Sequence, residues 1–367
     1  MAERTGRARR RPLRPAGPRG WGGVTAMAAA CALALAALVW PLDSGAAARP
    51  GATAPAPGSI PPVTAATAST AAPSGAVRAE PAASPSPGPD GTYVLPDQQG
   101  CDPSYPSLDP AGGTTDGPAV EKIRRAGLLT VGVDQSSYLW GFRDPITGQL
   151  AGFDIDIVRA IAKDILGDPD KVRYVVVSTK GRQSAVADHE VDMVVRTTTI
   201  DCQRVRQMAF STPYFEAGQQ VLTPKNSGIT GFNDTLRGRT VCVANGSTAQ
   251  ELIGKDRQGA RVITVDNQLD CLVRVQLGQA DAVITDDALA AGQAAQDPAV
   301  HLVGHRLTTE TYGVAMNLDA PDLVRRVNQV LAAYCSGGAQ SAWEKSYAKW
   351  LAPHLPESEE PPKPTYK

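Results

Sequence analysis

Strand-like and helix-like runs alternate twice between Pro118 and Pro353, with a fresh start at Thr240. In the first round an apolar run, Leu128 to Val133, is followed by a hairpin signal at Asp144-Pro145 and Thr147-Gly148. Helical spacing then places apolar residues at 155, 157, 158, 161 and 165. Short apolar runs at 172–177 and 192–195 and an extended stretch at 210–223 complete it. The second round repeats the order with strands at 240–244, 261–265 and 282–285, each feeding a helical run. Two helical segments, 321–334 and 339–350, close it. Period 2 giving way to period 3.6, twice over, predicts an α/β protein of two lobes with parallel-rich sheets. Two crossovers, near Val221 to Pro224 and Thr309 to Gly313, form the expected hinge. Lobe 1 is then residues 118–222 plus 311–353, lobe 2 is 223–310, and 354–367 is a frayed tail.

The N-terminus has a different character. Seven arginines fall in the first twenty residues against one acid, Glu3, and residues 1–23 form a basic region. An uncharged run from Val24 to Trp40 follows, within a segment at 24–42. Basic then apolar is the order of an export signal or a membrane anchor. Both readings stay open: Gly45-Ala46-Ala47-Ala48 supplies small residues for cleavage, while the run is near the lower length limit for a span. Either places the folded part outside the cytoplasm. Residues 43–117 are rich in Ala, Pro, Ser, Gly and Thr and read as a disordered tether. The net charge of −1 gives no case for nucleic-acid binding.

Leaving aside Cys31 in the apolar run, five cysteines remain: Cys101, Cys202, Cys242, Cys271 and Cys335. They form no C-x-x-C, and the four histidines do not cluster with them, so no metal site is expected. In an oxidising compartment they pair, and an odd number leaves one over. No nucleophile–base pair stands out, and no catalytic residue is assigned. Glu216 is the one stray acid worth inspecting.

Five blocks carry a more specific signal. They are LLTVGVDQSSYLWGFRDPITGQLAGFDIDIVRAIAK, VDMVVRTTTIDCQRVRQMAFSTPYFEAGQQVL, LRGRTVCVANGSTAQEL, LDCLVRVQLGQADAVITDDALA, and YGVAMNLDAPDLVRRVNQVL with WEKSYAKWL. In this order they resemble the extracytoplasmic amino-acid-binding proteins of polar-amino-acid ABC importers, solute-binding protein family 3, of the glutamine/glutamate type. The resemblance spans Leu128 to Trp350. It implies the two-lobed type II binding-protein fold, no cofactor, a polar L-amino acid as ligand, an ABC permease/ATPase complex as partner, and a monomer. An amino-acid sensor without a transport role shares these features, and a dehydratase-type enzyme on the same fold is the remaining alternative.

A free amino acid is a zwitterion, so its site needs donors for the carboxylate and acceptors for the ammonium. The resemblance gives Arg204 and Thr199 to the carboxylate, in a T-x-x-x-x-R pattern, joined by Ser247 and Thr248 at a strand-to-helix turn. Ser247 with Gln250 also makes a capping box. It gives Asp286, at the end of a strand, to the ammonium together with Thr197. Trp140, or Tyr138 beside it, would stack on the ligand's aliphatic part, with Ser136 and Asn245 near its side chain. Arg196 departs from the pattern, which has a small residue there. An arginine facing the ligand's side chain favours glutamate or aspartate, with glutamine or asparagine next. The resemblance also pairs Cys242 with Cys271; Cys101 with Cys202 is then the second expected disulfide, leaving Cys335 over, with Cys101–Cys335 as the alternative.

Overall fold

The computed structural model describes Tyr93, residues 104–355 and residues 360–367. The arginine cluster, the apolar run with Cys31, the linker up to residue 92 and Cys101 lie outside the described residues. Among the described residues no helix is long and apolar enough to cross a membrane.

The first lobe opens with helix α1 (Pro118–Ala126), where proline at the first position loses no helical hydrogen bond. It stops at Gly127, whose φ of 65° is the left-handed conformation of a helix end. Strand β1 (Leu129–Val133) follows, then a small three-stranded meander of β2 (Ser136–Ser137), β3 (Gly141–Arg143) and β4 (Leu150–Ala151). The β3–β4 turn is held by Asp144, whose Oδ1 accepts the amides of Ile146 and Thr147. Helix α2 (Phe153–Leu166) buries Ile155, Ile157, Val158, Ile161 and Ile165, the stripe expected from the spacing. Strand β5 (Val172–Val176), helix α3 (Arg182–Ala187), β6 (Met193–Val194) and β7 (Ala209–Phe210) complete this pass.

The chain then crosses over through β8 (Phe215–Ala217) and enters the second lobe on β9 (Gln219–Pro224). That lobe contains β10 (Thr240–Ala244), α4 (Thr248–Lys255), β11 (Arg261–Val265), α5 (Gln268–Gln276), β12 (Ala282–Asp286), α6 (Asp287–Gln296) and β13 (Val300–Val303). The return runs through β14 (Glu310–Tyr312) to β15 (Ala315–Met316), and helices α7 (Pro321–Cys335) and α8 (Ala342–Trp350) pack on the first lobe. The two sheets have the orders β5-β1-β6-β15-β7 and β11-β10-β12-β9-β13. They are mixed rather than dominated by parallel pairs. The crossover strands β9 and β15 join antiparallel and bring β13 and β7 with them.

Strands β8 and β14 pair antiparallel with each other and with neither sheet, so they are the hinge ribbon. The second crossover lies where the sequence places it. The first lies upstream of Val221 to Pro224, because β9 is hydrogen-bonded on both sides, to β12 and β13, and belongs to the second lobe.

Two segments read as disordered are structured. Residues 104–117 pack on lobe 1: Ser107 donates through Oγ to the Phe210 carbonyl, and Asn328 donates to Ser107 Oγ and the Leu108 carbonyl. The tail is not frayed throughout, since Ser107 pairs with Tyr366 in a parallel bridge. Low-complexity composition hides such docking, because a few polar contacts to a preformed core suffice. Tyr93 is buried against the second lobe, its amide donating to the Leu307 carbonyl and its ring edge-on to Phe232.

Cys242 on β10 and Cys271 on α5 form a disulfide with Cα atoms 5.4 Å apart. Cys202 is also disulfide-bonded, and Cys101, the partner expected for it, lies outside the described residues. Cys335 is a free thiol, half-buried at the end of α7, and burial pushes its pKa up to about 11.

Candidate functional site

Strand ends define the cleft. The C-terminal ends of β5, β6, β10 and β12 all open on it, as expected for ligand sites in open α/β sheets. Between the lobes they enclose a cavity of about 10 Å³, lined by Thr179, Arg182, Thr197, Thr199, Arg204 and Asp286 among others. That is room for about one water, so the lobes are closed on each other.

Six residues expected at the ligand stand here: Thr197, Thr199, Arg204, Ser247, Thr248 and Asp286 all line the cavity. Arg204 reaches across it. Its Nη2 donates to the Gly246 carbonyl of the second lobe at 3.2 Å, and its Nε lies 3.1 Å from Asp201 Oδ2. Gly246 has φ 75°, and a Cβ there would lie 3.0 Å from Lys180 Cα of the opposite lobe, so only glycine allows this approach. Ser247 is the N-cap of α4: its Oγ accepts from the Gln250 amide and donates to the Ala244 carbonyl. Its one hydroxyl proton is therefore already committed.

Asp286 is buried at the end of β12. Gln219 Nε2 and the Tyr312 hydroxyl both donate to it. Burial, and then the neighbouring Glu310 carboxylate, push its pKa up to about 7. Its neighbour Asp287 instead binds Arg306 at 2.7 Å and accepts the Gly218 amide, a role at the hinge.

The structure does not bring the expected side-chain pocket to this cavity. Trp140 is fully buried in an aromatic cluster, its ring 4.8 Å from Phe215 and 5.5 Å from both Phe153 and Tyr312. Its indole donates to the Ala288 carbonyl, which joins the lobes, so it packs as a core residue. Tyr138 stands edge-on to Phe142 in the meander, and Ser136 donates to Asp134. Asn245 sits beside the cleft and takes no place in the lining. Arg196 is buried and neutralised: its Nη2 lies 2.8 Å from Asp134 Oδ2, and its Nη1 donates to Thr179. Burial would raise the pKa of Asp134, but Arg196 and the hydroxyls of Ser137 and Ser136 more than offset this and hold it low. A guanidinium so paired is not free for a ligand, and an acidic preference does not follow from it. Glu216, the stray acid, is half-exposed and faces Arg306 at 3.6 Å.

Three cleft residues lie outside the expected set. Arg182, at the start of α3, is buried and lines the cavity. It donates to the carbonyls of Thr179, Arg196, Thr197 and Gly246, and among the described residues no carboxylate stands within ion-pair distance. Burial, then the nearby Arg204 and Arg196, drive its pKa well below the usual arginine range. The strand-end rule that marks Asp286 also marks Arg182, which follows β5. Gln219 opens β9 beside the hinge ribbon and Glu310 lies on the ribbon itself, so only the crossover brings them to the site. Among the described residues there is no cluster able to hold a metal ion.

A structural support lies behind the lobe 1 wall. Asp154 Oδ2 accepts the Thr197 amide and its Oδ1 accepts the Tyr214 hydroxyl. Thr197 has φ 40°, a left-handed conformation costly for a β-branched residue, and this anchor holds it. Burial pushes Asp154 up to about 7 despite both hydrogen bonds.

Residues 129–353 match the family described as bacterial extracellular solute-binding proteins, family 3. The chain is 37% identical over 208 residues to a glutamine-binding protein of Geobacillus stearothermophilus, covering 57% of this chain and 78% of that protein. It is 28% identical over 258 residues to the glutamate/aspartate import solute-binding protein of Salmonella typhimurium, covering 67% and 82%. Among solved structures, a mutant of ArgBP from T. maritima superposes with a TM-score of 0.59 at 29% identity, covering 64% of this chain and 99% of that one. An ancestral arginine-binding protein bound to glutamine gives 0.56 at 34%, covering 61% and 97%. The two-lobed architecture is thus the type II binding-protein fold, and the relatives are binding proteins, not enzymes. The chain belongs to family 3 of the bacterial extracellular solute-binding proteins and is a solute-binding protein for amino acids.

Proposed function

We propose that this protein is an extracytoplasmic receptor that clamps an acidic L-amino acid, glutamate or aspartate, between its lobes and hands it to an ABC importer. The α-carboxylate pairs with Arg204 and the amides at the start of α4, where the helix dipole favours an anion. The ammonium pairs with Asp286. The ligand's side-chain carboxylate goes to Arg182 rather than Arg196.

One observation carries the acidic preference. Arg182 is a buried guanidinium on the cavity wall whose hydrogen bonds go to carbonyls. Leaving such a charge without a counter-ion is costly, and a ligand carboxylate supplies one. Glutamine is the second reading: an amide oxygen also accepts from a guanidinium, and the Geobacillus relative is a glutamine-binding protein. Closure follows from contacts to both lobes, which stabilise the closed form over the open one.

Calorimetry of the protein against the twenty amino acids tests this. Glutamate or aspartate should bind tightest, and Arg182→Gln should erase the preference for acid over amide, a change of about tenfold or more. Tightest binding of lysine or arginine overturns the reading.

A further inference from the structure

Glu310 lies on the hinge strand β14, opposite Ala217 of β8, and is buried. Its carboxylate draws donors from both lobes. Oε2 accepts the hydroxyls of Thr199 from lobe 1 and Thr248 from lobe 2, both at 2.8 Å. Oε1 accepts Gln219 Nε2 at 3.1 Å and the Thr308 hydroxyl at 2.8 Å. Among the described residues no cation stands within ion-pair distance of Glu310 or Asp286.

A threonine hydroxyl has one proton and two lone pairs, and an ionised carboxylate only accepts. Once Glu310 takes the protons of Thr199 and Thr248, both hydroxyls can offer a ligand lone pairs only. They can no longer donate to its carboxylate. The structure shows the result at Thr248, which donates to Glu310 and at the same time accepts from Gln219 Nε2 at 2.9 Å. That amide nitrogen has three acceptors around it: Thr248 Oγ1, Glu310 Oε1 and Asp286 Oδ1. It has only two protons for them. Its own Oε1 is buried with no hydrogen-bond partner, so the amide is oriented by this nest at the expense of its oxygen. Three converging acceptors suit an ammonium, which carries three donors and a positive charge.

We infer that Glu310 builds the ammonium end of the cleft, offering its own Oε1 and fixing the Thr199 and Thr248 hydroxyls as further acceptors for a ligand ammonium that displaces the Gln219 amide. This moves both threonines from the carboxylate end to the ammonium end. It rests on the amino-acid-receptor reading above.

The test compares an amino acid with its α-deamino counterpart: L-glutamate with glutarate, and L-glutamine with glutaramate. In Glu310→Gln the new amide can donate to the hydroxyls and turn their protons towards the ligand. The ratio of amino-acid to deamino affinity should fall about tenfold or more, mostly through the amino acid. Thr199→Val and Thr248→Val, which keep the volume, should shift the ratio the same way should Glu310→Gln fail to fold. An unchanged ratio in the folded variants, or equal loss for both compounds, overturns the inference while the receptor reading stands. Failure of the wild-type protein to bind any amino acid overturns both.

Discussion

The two walls of the cleft solve the same electrostatic problem differently. Lobe 1 presents guanidiniums that come with their own carboxylates: Arg196 with Asp134 and Arg204 with Asp201. Arg182 is the exception, held by carbonyls. The opposite wall and the hinge present Asp286 and Glu310, which are surrounded by hydroxyls and an amide rather than by cations. A pre-paired charge is less costly to bury, and it serves a ligand only where it lines the cavity, as Arg204 does and Arg196 does not. An unpaired one is costly and becomes the place where a ligand of opposite sign gains most. The difference shows why the position of an arginine in the sequence is a poor guide to its role: Arg196 and Arg182 are both buried in lobe 1, and their partners and access to the cavity separate them.

The contrast can be broken from either side. The largest effect is expected from Arg204→Ala, which should lower affinity by about a hundredfold or more in calorimetry while the thermal transition persists. Unchanged affinity would remove Arg204 from the site. Next comes the Cys242–Cys271 staple of the second lobe. Replacing Cys242 and Cys271 by serine reopens a loop closed across 29 residues, and denaturant titration should show a loss of about 3–4 kcal/mol. A loss below about 1 kcal/mol would mean that the β10–α5 packing holds without it.

The smallest effect is a pH dependence at Asp286. Its carboxyl is raised to about 7 by burial and by Glu310, and a bound ammonium favours the ionised form, so binding expels a proton. Affinity should therefore fall as pH drops below about 7, approaching tenfold per unit, and Asp286→Asn should flatten the profile. Stability of the ligand-free fold takes the opposite sign. A carboxyl whose folded pKa lies above its unfolded value of roughly 4 contributes stability below that value and loses it as pH rises through about 7. A flat affinity profile from pH 5.5 to 8 would contradict the assignment.

Much of this molecule was legible in its sequence because the signals are local. The β/α alternation gives both lobes, and the stripe on α2 gives its buried face. The strand-end position takes Asp286 to the cleft, and the second crossover falls within the expected Thr309 to Gly313. What stayed hidden depends on contacts made across long separations. Glu310 meets Thr199 across 111 residues, and no spacing rule reports that. Trp140 resembled a ligand platform, yet the partners that bury it, Phe215 and Tyr312, arrive only with the hinge. The docking of residues 104–117 was lost to composition, because Ser107 and its partners on α7 and β7 are unremarkable one at a time.

The central claim is that the closed cleft holds both ends of a zwitterion. It is tested most directly by calorimetry with L-glutamate, 4-aminobutyrate, which lacks the α-carboxylate, and glutarate, which lacks the ammonium. The account predicts that each truncated compound binds about a hundredfold or more weaker than glutamate. Binding of either one within about tenfold of glutamate would contradict it.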